Sequence, residues 1–240
     1  MLKSELTGIL NELFALGGNQ DVLKLNEIRK RLVDFLSHTE QLLGCQDNEN
    51  VIIAKDAVRL LDALSVYAET TDRNKANSHV QPFFDRLIQS DGWSQCDLQF
   101  LITSVEYIKN VEQLLELSDR AISEISKYQD NNNSAILEGY LAFNMCSRIL
   151  YAKFFDDAKT DFLVQFATWA LKLENLLDKN NELSQISLIT QIRRAIFHRA
   201  PTEIVKLCED LKNNYDENIH STVEKEVRFY ITSEKYINYL

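Results

Sequence analysis

The sequence predicts an all-α protein of stacked antiparallel helix hairpins that form a right-handed solenoid with a concave groove. Apolar residues recur at steps of three and four along most of the 240 residues. Only 6 glycines and 2 prolines occur, too few for the turns of an all-β fold. Turns expected at Asn110, Asp156 and Pro201 are about 45 residues apart, a spacing typical of helical repeats. We therefore expect a single helical-repeat domain over residues 1–240.

In the first third of the chain, the spacing of apolar residues predicts four helices separated by polar segments. The expected helices cover residues 6–14, 22–36, 53–67 and 82–88. The glycines and asparagine at residues 17–19 end the first helix, and Asp21 is placed to cap the second. A polar break at residues 46–50 precedes the third helix, which ends in a charged loop at residues 70–78. Pro82 is expected in the first turn of the fourth helix, where its missing N–H is harmless.

In the rest of the chain, the same spacing of apolar residues predicts seven further helices. They cover residues 98–108, 111–125, 133–155, 157–177, 183–196, 201–211 and 223–240. The turn Asp91-Gly92-Trp93 precedes the first of these, and Asn110 separates it from the second. A loop is expected at residues 130–133. Pro201 ends one helix and begins the next, because proline fits the first turn of a helix but not its interior.

The hairpin at residues 133–177 is the most apolar part of the chain. Its first helix has apolar groups around most of its circumference, so it is expected to be buried on more than one side. Its second helix is expected to begin near Asp156 or Asp157, since a short carboxylate can accept from the free N–H groups of a first turn.

Four polar side chains share one stripe of that first helix. Asn144, Ser147, Arg148 and Tyr151 are spaced three and four residues apart among apolar neighbours. Two interpretations are open. The stripe faces water, as charged side chains mostly do. Alternatively, it lines a groove whose amide, hydroxyl and guanidinium groups suit an extended peptide or its carboxylate.

Composition and charge exclude several classes of protein. The net charge of −10 and the pI near 5.0 argue against nucleic-acid or anionic-membrane binding by the bulk surface. The chain contains no run of eighteen apolar residues and no recognisable signal peptide, so a cytoplasmic location is expected. The four cysteines form no CxxC pair; Cys146 and Cys208 are expected to be small buried residues in a reducing compartment.

The motifs of common enzyme classes have little support. Residues 156–161 form a DDxxxD run, which isoprenoid synthases use to hold Mg²⁺ on a diphosphate. An acidic helix start explains the same run, and a second acidic motif is missing from the sequence. The four histidines have no ligand spacing, and no phosphate-binding or nucleophile-elbow motif occurs. We therefore expect no enzyme, no metal and no cofactor. Arg193 and Arg194 are expected to be an ordinary solvated pair, unless Arg194 faces a ligand.

The order of several motifs resembles a known family. Asp91-Gly92-Trp93 leads into an apolar helix, then Asn110, the asparagine-rich loop, the helix with Asn144 and finally Lys153-Phe154. This order is similar to the carboxy-terminal regulatory domain of Rgg/GadR/MutR transcriptional regulators. The similarity is best over residues 79–240 and weaker over residues 1–78. The segment from Tyr151 through Phe162 also resembles a tetratricopeptide turn.

The resemblance implies a function and a ligand site. Family members join a helix-turn-helix DNA-binding domain to a helical, tetratricopeptide-like domain that forms homodimers. In the best-known members, that domain senses a short signalling peptide on its concave face, as in quorum sensing. The resemblance implies a peptide groove, and the side chains expected to line it are Tyr140, Asn144, Ser147, Arg148, Tyr151, Gln191 and Arg194. Ser187, Thr190 and His198 are expected to extend the groove from the next repeat.

One feature departs from the family pattern. No helix-turn-helix pattern precedes the first predicted helix, so we expect either a family member without the DNA reader or a separated regulatory domain. DNA contact would then require a segment outside this chain. Two alternatives remain open, namely a helical scaffold that binds another protein and, more remotely, an all-α Mg²⁺-dependent enzyme of the isoprenoid synthase type.

Overall fold

A computed structural model describes residues 2–16, 21–43, 48–128, 131–155, 162–177 and 183–233. The helices in these ranges are α1 (Leu2–Ala15), α2 (Val22–Leu43), α3 (Glu49–Thr70), α4 (Arg73–Gln89), α5 (Gln95–Ser104), α6 (Val111–Ile125), α7 (Asn131–Phe155), α8 (Phe162–Leu177), α9 (Ser184–Phe197), α10 (Pro201–Asn214) and α11 (Glu217–Ile231), and a 3₁₀ turn at Val105–Tyr107 follows α5. The described part of the chain contains no strand. The all-α prediction is confirmed.

The chain divides into two compact units, Met1–Glu124 and Ile125–Leu240. The first unit contains α1 to α5 and most of α6, and the second contains α7 to α11. Residue 79, the expected start of the best-matching repeats, lies inside α4 and so does not coincide with the boundary between the units.

Short polar side chains determine where several helices of the first unit begin. Asp21 accepts from the backbone N–H groups of Leu23 and Lys24 at 3.1 and 3.3 Å, as predicted. Asn110 accepts from the backbone N–H of Glu112 at 2.8 Å and starts α6 in the same way. Ser94 and Asp97 form a capping box at the start of α5.

The charged loop expected at residues 70–78 is wrong, because α4 begins at Arg73. The Asp72 carboxylate accepts from the backbone N–H groups of Asn74 and Lys75 at 2.9 and 3.1 Å, so the helix begins nine residues before Pro82. Pro82 lies inside α4 rather than in its first turn. The proline was therefore the weaker of two competing start signals.

Two arginines tie the helices of the first unit together. Arg86 of α4 pairs with the buried carboxylate of Asp56 in α3 at 2.8 Å and also with Asp97 of α5. Arg120 of α6 lies over the Trp93 ring, with its guanidinium carbon 4.8 Å from the ring centroid. Arg120 also donates to the backbone carbonyls of residues 87, 88 and 90 at the end of α4.

The core of the second unit surrounds α7, which packs against α8 and α9. Residues 145–150 of α7 are all buried, as expected for a helix enclosed on several sides. Gly139 allows a close approach, because a Cβ at this position would lie 2.8 Å from the side chain of Leu183. The helix expected at residues 223–240 begins earlier, at Glu217, since Asp216 accepts from the backbone N–H of Asn218.

Some expectations concern residues outside the described ranges. They include the turn at residues 17–19, the helix start and acidic run at residues 156–161, and the last residues of the helix expected to reach residue 240. The loop expected at residues 130–133 is wrong from Asn131 onward, because Asn131 is the first residue of α7.

Candidate functional site

The polar stripe of α7 does not face solvent as a whole. Arg148 is only 3% exposed and Ser147 is also buried, whereas Asn144 and Tyr151 are half-buried and Tyr140 is 44% exposed. The Arg148 guanidinium carbon lies 5.8 Å from the centroid of the Tyr151 ring. The solvent-facing interpretation is wrong for Ser147 and Arg148, because neighbouring helices enclose α7 along this stretch. Arg148 consequently offers almost no accessible surface to a peptide.

The second expected stripe lies along a narrow crevice between α8 and α9. Ser187 and Thr190 are buried, and Gln191 and Arg194 are exposed. All four border the crevice, which is too narrow to hold a water molecule. Arg194 pairs with Glu174 of α8 at 3.4 Å across its rim. The crevice is thus closed by packing and by an ion pair, and it is not a ligand cavity in this arrangement.

Arg193 differs from its neighbour, so the expected solvated pair is wrong for this residue. Arg193 is 6% exposed and pairs in a bidentate manner with Glu226 of α11, at 2.8 and 3.2 Å. It also donates to the backbone carbonyl of Phe143 at 3.2 Å and lies over the Phe143 ring. One guanidinium therefore joins α7, α9 and α11.

The second unit contains an open recess of about 380 Å³, which we call the Lys153 pocket. Its lining residues are Lys153, Phe162, Phe197, His198 and Arg199. Three of these side chains are basic and two are aromatic. Among the described residues, no acidic side chain lines the pocket. Residues 156–161, which separate Lys153 from Phe162 in sequence, lie outside the described ranges.

The turn after α9 presents two of the basic groups. The N–H of Ala200 donates to the carbonyl of Ala195 at 2.9 Å, and the N–H of Arg199 donates to the carbonyl of Ile196 at 3.0 Å. These two bonds form a Schellman motif, in which the residue in the left-handed conformation is usually glycine. Here that residue is Arg199, with φ of 55°. An arginine at this position costs backbone energy that glycine would avoid.

Lys153 links the end of α7 to the end of α9. Its ammonium group donates to the carbonyl oxygen of Phe197 at 2.5 Å and lies 3.6 Å from the centroid of the Phe197 ring. Burial and, to a smaller extent, the nearby positive charge of Arg199 together lower the pKa of the Lys153 amine to about 8. Among the residues that the structure describes, the ammonium group has this one hydrogen-bond acceptor, so its other two N–H groups are available to a ligand in the pocket.

His198 and Arg199 are the other two basic groups of the pocket, and the pKa of His198 is lowered as well. Burial lowers the pKa of His198, and the charges of Lys153 and Arg194 lower it further, while Glu203 opposes the shift. The guanidinium carbon of Arg199 lies 5.9 Å from the centroid of the Phe154 ring. Burial is the larger cause of both pKa shifts and the neighbouring cations add to it, so an anion bound in the pocket would raise both pKa values.

An exposed aromatic patch lies near the same end of α7. It consists of Tyr151, Phe155 and Phe229, with ring centroids 4.8 Å apart for the first pair and 4.9 Å apart for the second. Phe155 is 37% exposed and Phe229 is 52% exposed. Tyr230 lies beneath them and is buried. Of the expected site residues, only Tyr151 belongs to this patch.

Comparisons with protein-family models, with curated proteins and with solved structures find no match to this chain. None of the helices in the described ranges is long and apolar enough to cross a membrane. The described residues also contain no group of three or more His, Cys, Asp or Glu arranged to hold a metal ion.

The sequence carried a signal for the Lys153 pocket that motif analysis missed. Lys153-Phe154-Phe155 and Phe197-His198-Arg199 are two short segments in which basic and aromatic residues adjoin at the end of a helix. Each segment is unremarkable alone. Their juxtaposition depends on how α7 packs against α9, which periodicity within one helix does not reveal.

Proposed function

We propose that this chain is a cytoplasmic, homodimeric, peptide-sensing regulatory domain of the Rgg/MutR type, and that the Lys153 pocket receives the carboxylate of the peptide. The motif order described above supports the family. The observation that supports the site is an open pocket with three basic and two aromatic side chains. In this proposal the helix hairpins stack as a right-handed solenoid, but the ligand binds at the end of α7 rather than along the Asn144–Arg148 stripe.

The chemistry of the pocket fits the end of a short peptide. A carboxylate can accept from N–H groups of Lys153 that the Phe197 carbonyl does not use, from the Arg199 guanidinium and from the His198 imidazole. Charge-assisted hydrogen bonds of this kind are stronger than those between neutral groups. The Phe162 and Phe197 rings offer an apolar wall for the last side chain of the peptide.

The mechanism that we propose is a population shift. The pocket joins the last turn of α7 to the turn between α9 and α10, so a ligand in it favours arrangements in which these two segments stay together. Such a bias would alter the surface offered to a second copy of the chain. Contact with DNA would require a helix-turn-helix segment outside these residues.

Calorimetric titration tests this site with a matched pair of probes. The probes are an N-acetylated tripeptide of phenylalanine, leucine and phenylalanine with a free carboxylate, and the same tripeptide with a carboxy-terminal amide. We expect the free acid to bind about tenfold more tightly than the amide, because a hydrogen bond to a charged group contributes about 1.5–3 kcal/mol. Equal affinities of the free acid and the amide would show that the pocket does not bind the carboxylate.

Two variants separate the pocket from a general charge effect. Lys153→Ala should abolish the preference for the free acid. Lys172→Ala should leave it unchanged, because Lys172 already pairs with Glu138 at 3.4 Å and lies 5.5 Å from the Trp169 ring centroid. An equal loss in both variants would indicate non-specific attraction to positive charge.

The aromatic patch favours a second function, a scaffold that binds another protein. Phe155 and Phe229 are each more than one third exposed and their rings are in contact, so together they form a contiguous apolar surface on which a partner could pack. Under this alternative, Phe155→Ser combined with Phe229→Ser would release a stable protein partner in a pull-down, and short peptides would have no effect. Retention of the partner by the double variant would argue against the scaffold.

A further inference from the structure

The amine of Lys153 has the surroundings of a nucleophile. It is half-buried yet borders a recess of about 380 Å³ that is open to solvent, so a small molecule can reach it. The amine is half-buried beside the charged Arg199 guanidinium, and both conditions lower its pKa. Lysines in such settings lose their proton more easily than solvated lysines, and the neutral amine is the nucleophilic form.

Two neighbours of the amine favour a particular kind of electrophile. Arg199 and His198 line the pocket beside the amine; the Arg199 guanidinium attracts anions, and the neutral His198 imidazole can donate its N–H to an anion oxygen. An acyl donor with a phosphate leaving group would be attracted and oriented by these two groups. The negative charge that develops on its leaving oxygen would also be stabilised there. A neutral acyl donor gains neither advantage.

We propose that Lys153 is an acylation site for small acyl phosphates, with Arg199 and His198 orienting the phosphate group. The Nζ lone pair attacks the acyl carbon and forms a C–N bond. The bond between that carbon and the phosphate oxygen breaks, and the oxygen leaves with the bonding electrons. The amine proton passes to the departing phosphate, so the products are an amide on Lys153 and inorganic hydrogen phosphate. No oxidant, reductant or metal takes part.

Acylation would also regulate the site. An amide at residue 153 has no charge and cannot donate three hydrogen bonds, so the pocket loses its central cation. Binding of a peptide carboxylate would in turn favour the charged amine and protect it from acylation. This reciprocal effect rests on the proposed function, whereas the reactivity of Lys153 does not.

Peptide mass mapping after reaction with acetyl phosphate at pH 7.5 tests the proposal on the full chain. At this pH an amine with a pKa of about 8 is roughly one quarter neutral, whereas an ordinary lysine is roughly one part in a thousand neutral. The more acidic amine is also a weaker nucleophile, so we expect Lys153 to react at least about tenfold faster than Lys172. Equal rates at the two lysines would overturn the proposal.

A second comparison tests the role of the cationic neighbours. The rate at Lys153 is measured with acetyl phosphate and with the neutral N-hydroxysuccinimide ester of acetate, in the wild type and in Arg199→Gly. We expect the ratio of the acetyl phosphate rate to the ester rate to fall at least about threefold in the variant. This ratio cancels any change in the neutral fraction of the amine. An unchanged ratio would refute the guidance of acyl phosphates by Arg199.

The two proposals fail independently. Acetyl phosphate reactivity is measured without a peptide, and tripeptide binding is measured without an acyl donor. Rapid acetylation of Lys153 with no carboxylate preference in calorimetry would support the acylation site and refute the peptide site. A carboxylate preference without rapid acetylation would support the peptide site and refute the acylation site.

Discussion

The ammonium nitrogen of Lys153 lies 3.6 Å from the centroid of the Phe197 ring and donates a hydrogen bond to the carbonyl oxygen of the same residue. The ring of Phe197 stacks on Phe166 on α8, with centroids 4.9 Å apart. One lysine therefore fixes the end of α9 against α7, and its ammonium group also borders the Lys153 pocket. This dual role makes the residue a structural link and a candidate ligand group at once.

The first prediction concerns the pH dependence of stability. Burial lowers the folded-state pKa of Lys153 to about 8 from an unfolded value near 10.5. Between these values the unfolded state binds more protons than the folded state, so this residue adds stability as the pH rises from about 8 to 10.5. Urea unfolding of the wild type and of Lys153→Met should therefore show a difference in free energy of unfolding that grows in favour of the wild type over this range.

The control for that prediction is Lys172→Met, which removes a lysine that pairs with Glu138. Its difference from the wild type should not rise across the same pH range. A flat difference for Lys153→Met would mean that its amine has an ordinary pKa in the folded chain.

The second prediction concerns the backbone at residue 199. Arg199→Gly and Arg199→Ala both remove the guanidinium group, but only glycine relieves the left-handed conformation at φ of 55°. We expect the glycine variant to be more stable than the alanine variant by about 1 kcal/mol. Thermal and urea denaturation measure this difference. Equal stabilities would show that residue 199 does not hold the left-handed conformation.

The third prediction contrasts two adjacent arginines of α9. Removing Glu226 leaves the buried guanidinium of Arg193 without its bidentate carboxylate, so Glu226→Ala should lower the free energy of unfolding by about 3 kcal/mol. Glu174→Ala removes the exposed partner of Arg194 and should cost less than about 1 kcal/mol. Urea denaturation followed by circular dichroism measures both. Similar costs for the two variants would contradict the burial of Arg193.

The fourth prediction concerns the end of α4 in the first unit. Arg120→Ala removes the donors to three backbone carbonyls and the cation above the Trp93 ring. We expect a loss of about 2 kcal/mol in the free energy of unfolding, together with a change in tryptophan fluorescence. Lys30→Ala, at an exposed position of α2, serves as the control and should change neither quantity. An unaltered emission spectrum in Arg120→Ala would show that Arg120 does not lie over the Trp93 ring in solution.

Much of the fold followed from short-range signals. The three-to-four spacing of apolar residues located the helices, and the caps at Asp21 and Asn110 act over two or three residues. Pro201 begins α10, as its fixed φ requires. The loop predicted at residues 70–78 was wrong because its charged composition was given more weight than the capping side chain of Asp72, which starts α4 within that segment.

The candidate site was harder to predict than the fold, because it depends on packing between helices. Arg148 and Arg194 both lie among apolar residues in their helices, yet Arg148 is enclosed by its neighbours and Arg194 is exposed. Lys153 and Arg199 are 46 residues apart in sequence and come together only when α7 and α9 pack. Periodicity gives the inner face of each helix but not which polar group on that face a second helix will cover.

The pKa of the Lys153 amine with and without a peptide carboxylate is the most direct test of the proposed ligand site. It is measured by NMR titration of lysine side-chain carbons labelled with ¹³C, with the Lys153→Arg variant providing the assignment. We expect the pKa to be about 8 in the free chain and to rise by at least about one unit when the acetylated tripeptide with a free carboxylate saturates the chain. The amide form of the tripeptide should leave it unchanged. A tripeptide that binds without altering this pKa would show that Lys153 does not receive the carboxylate.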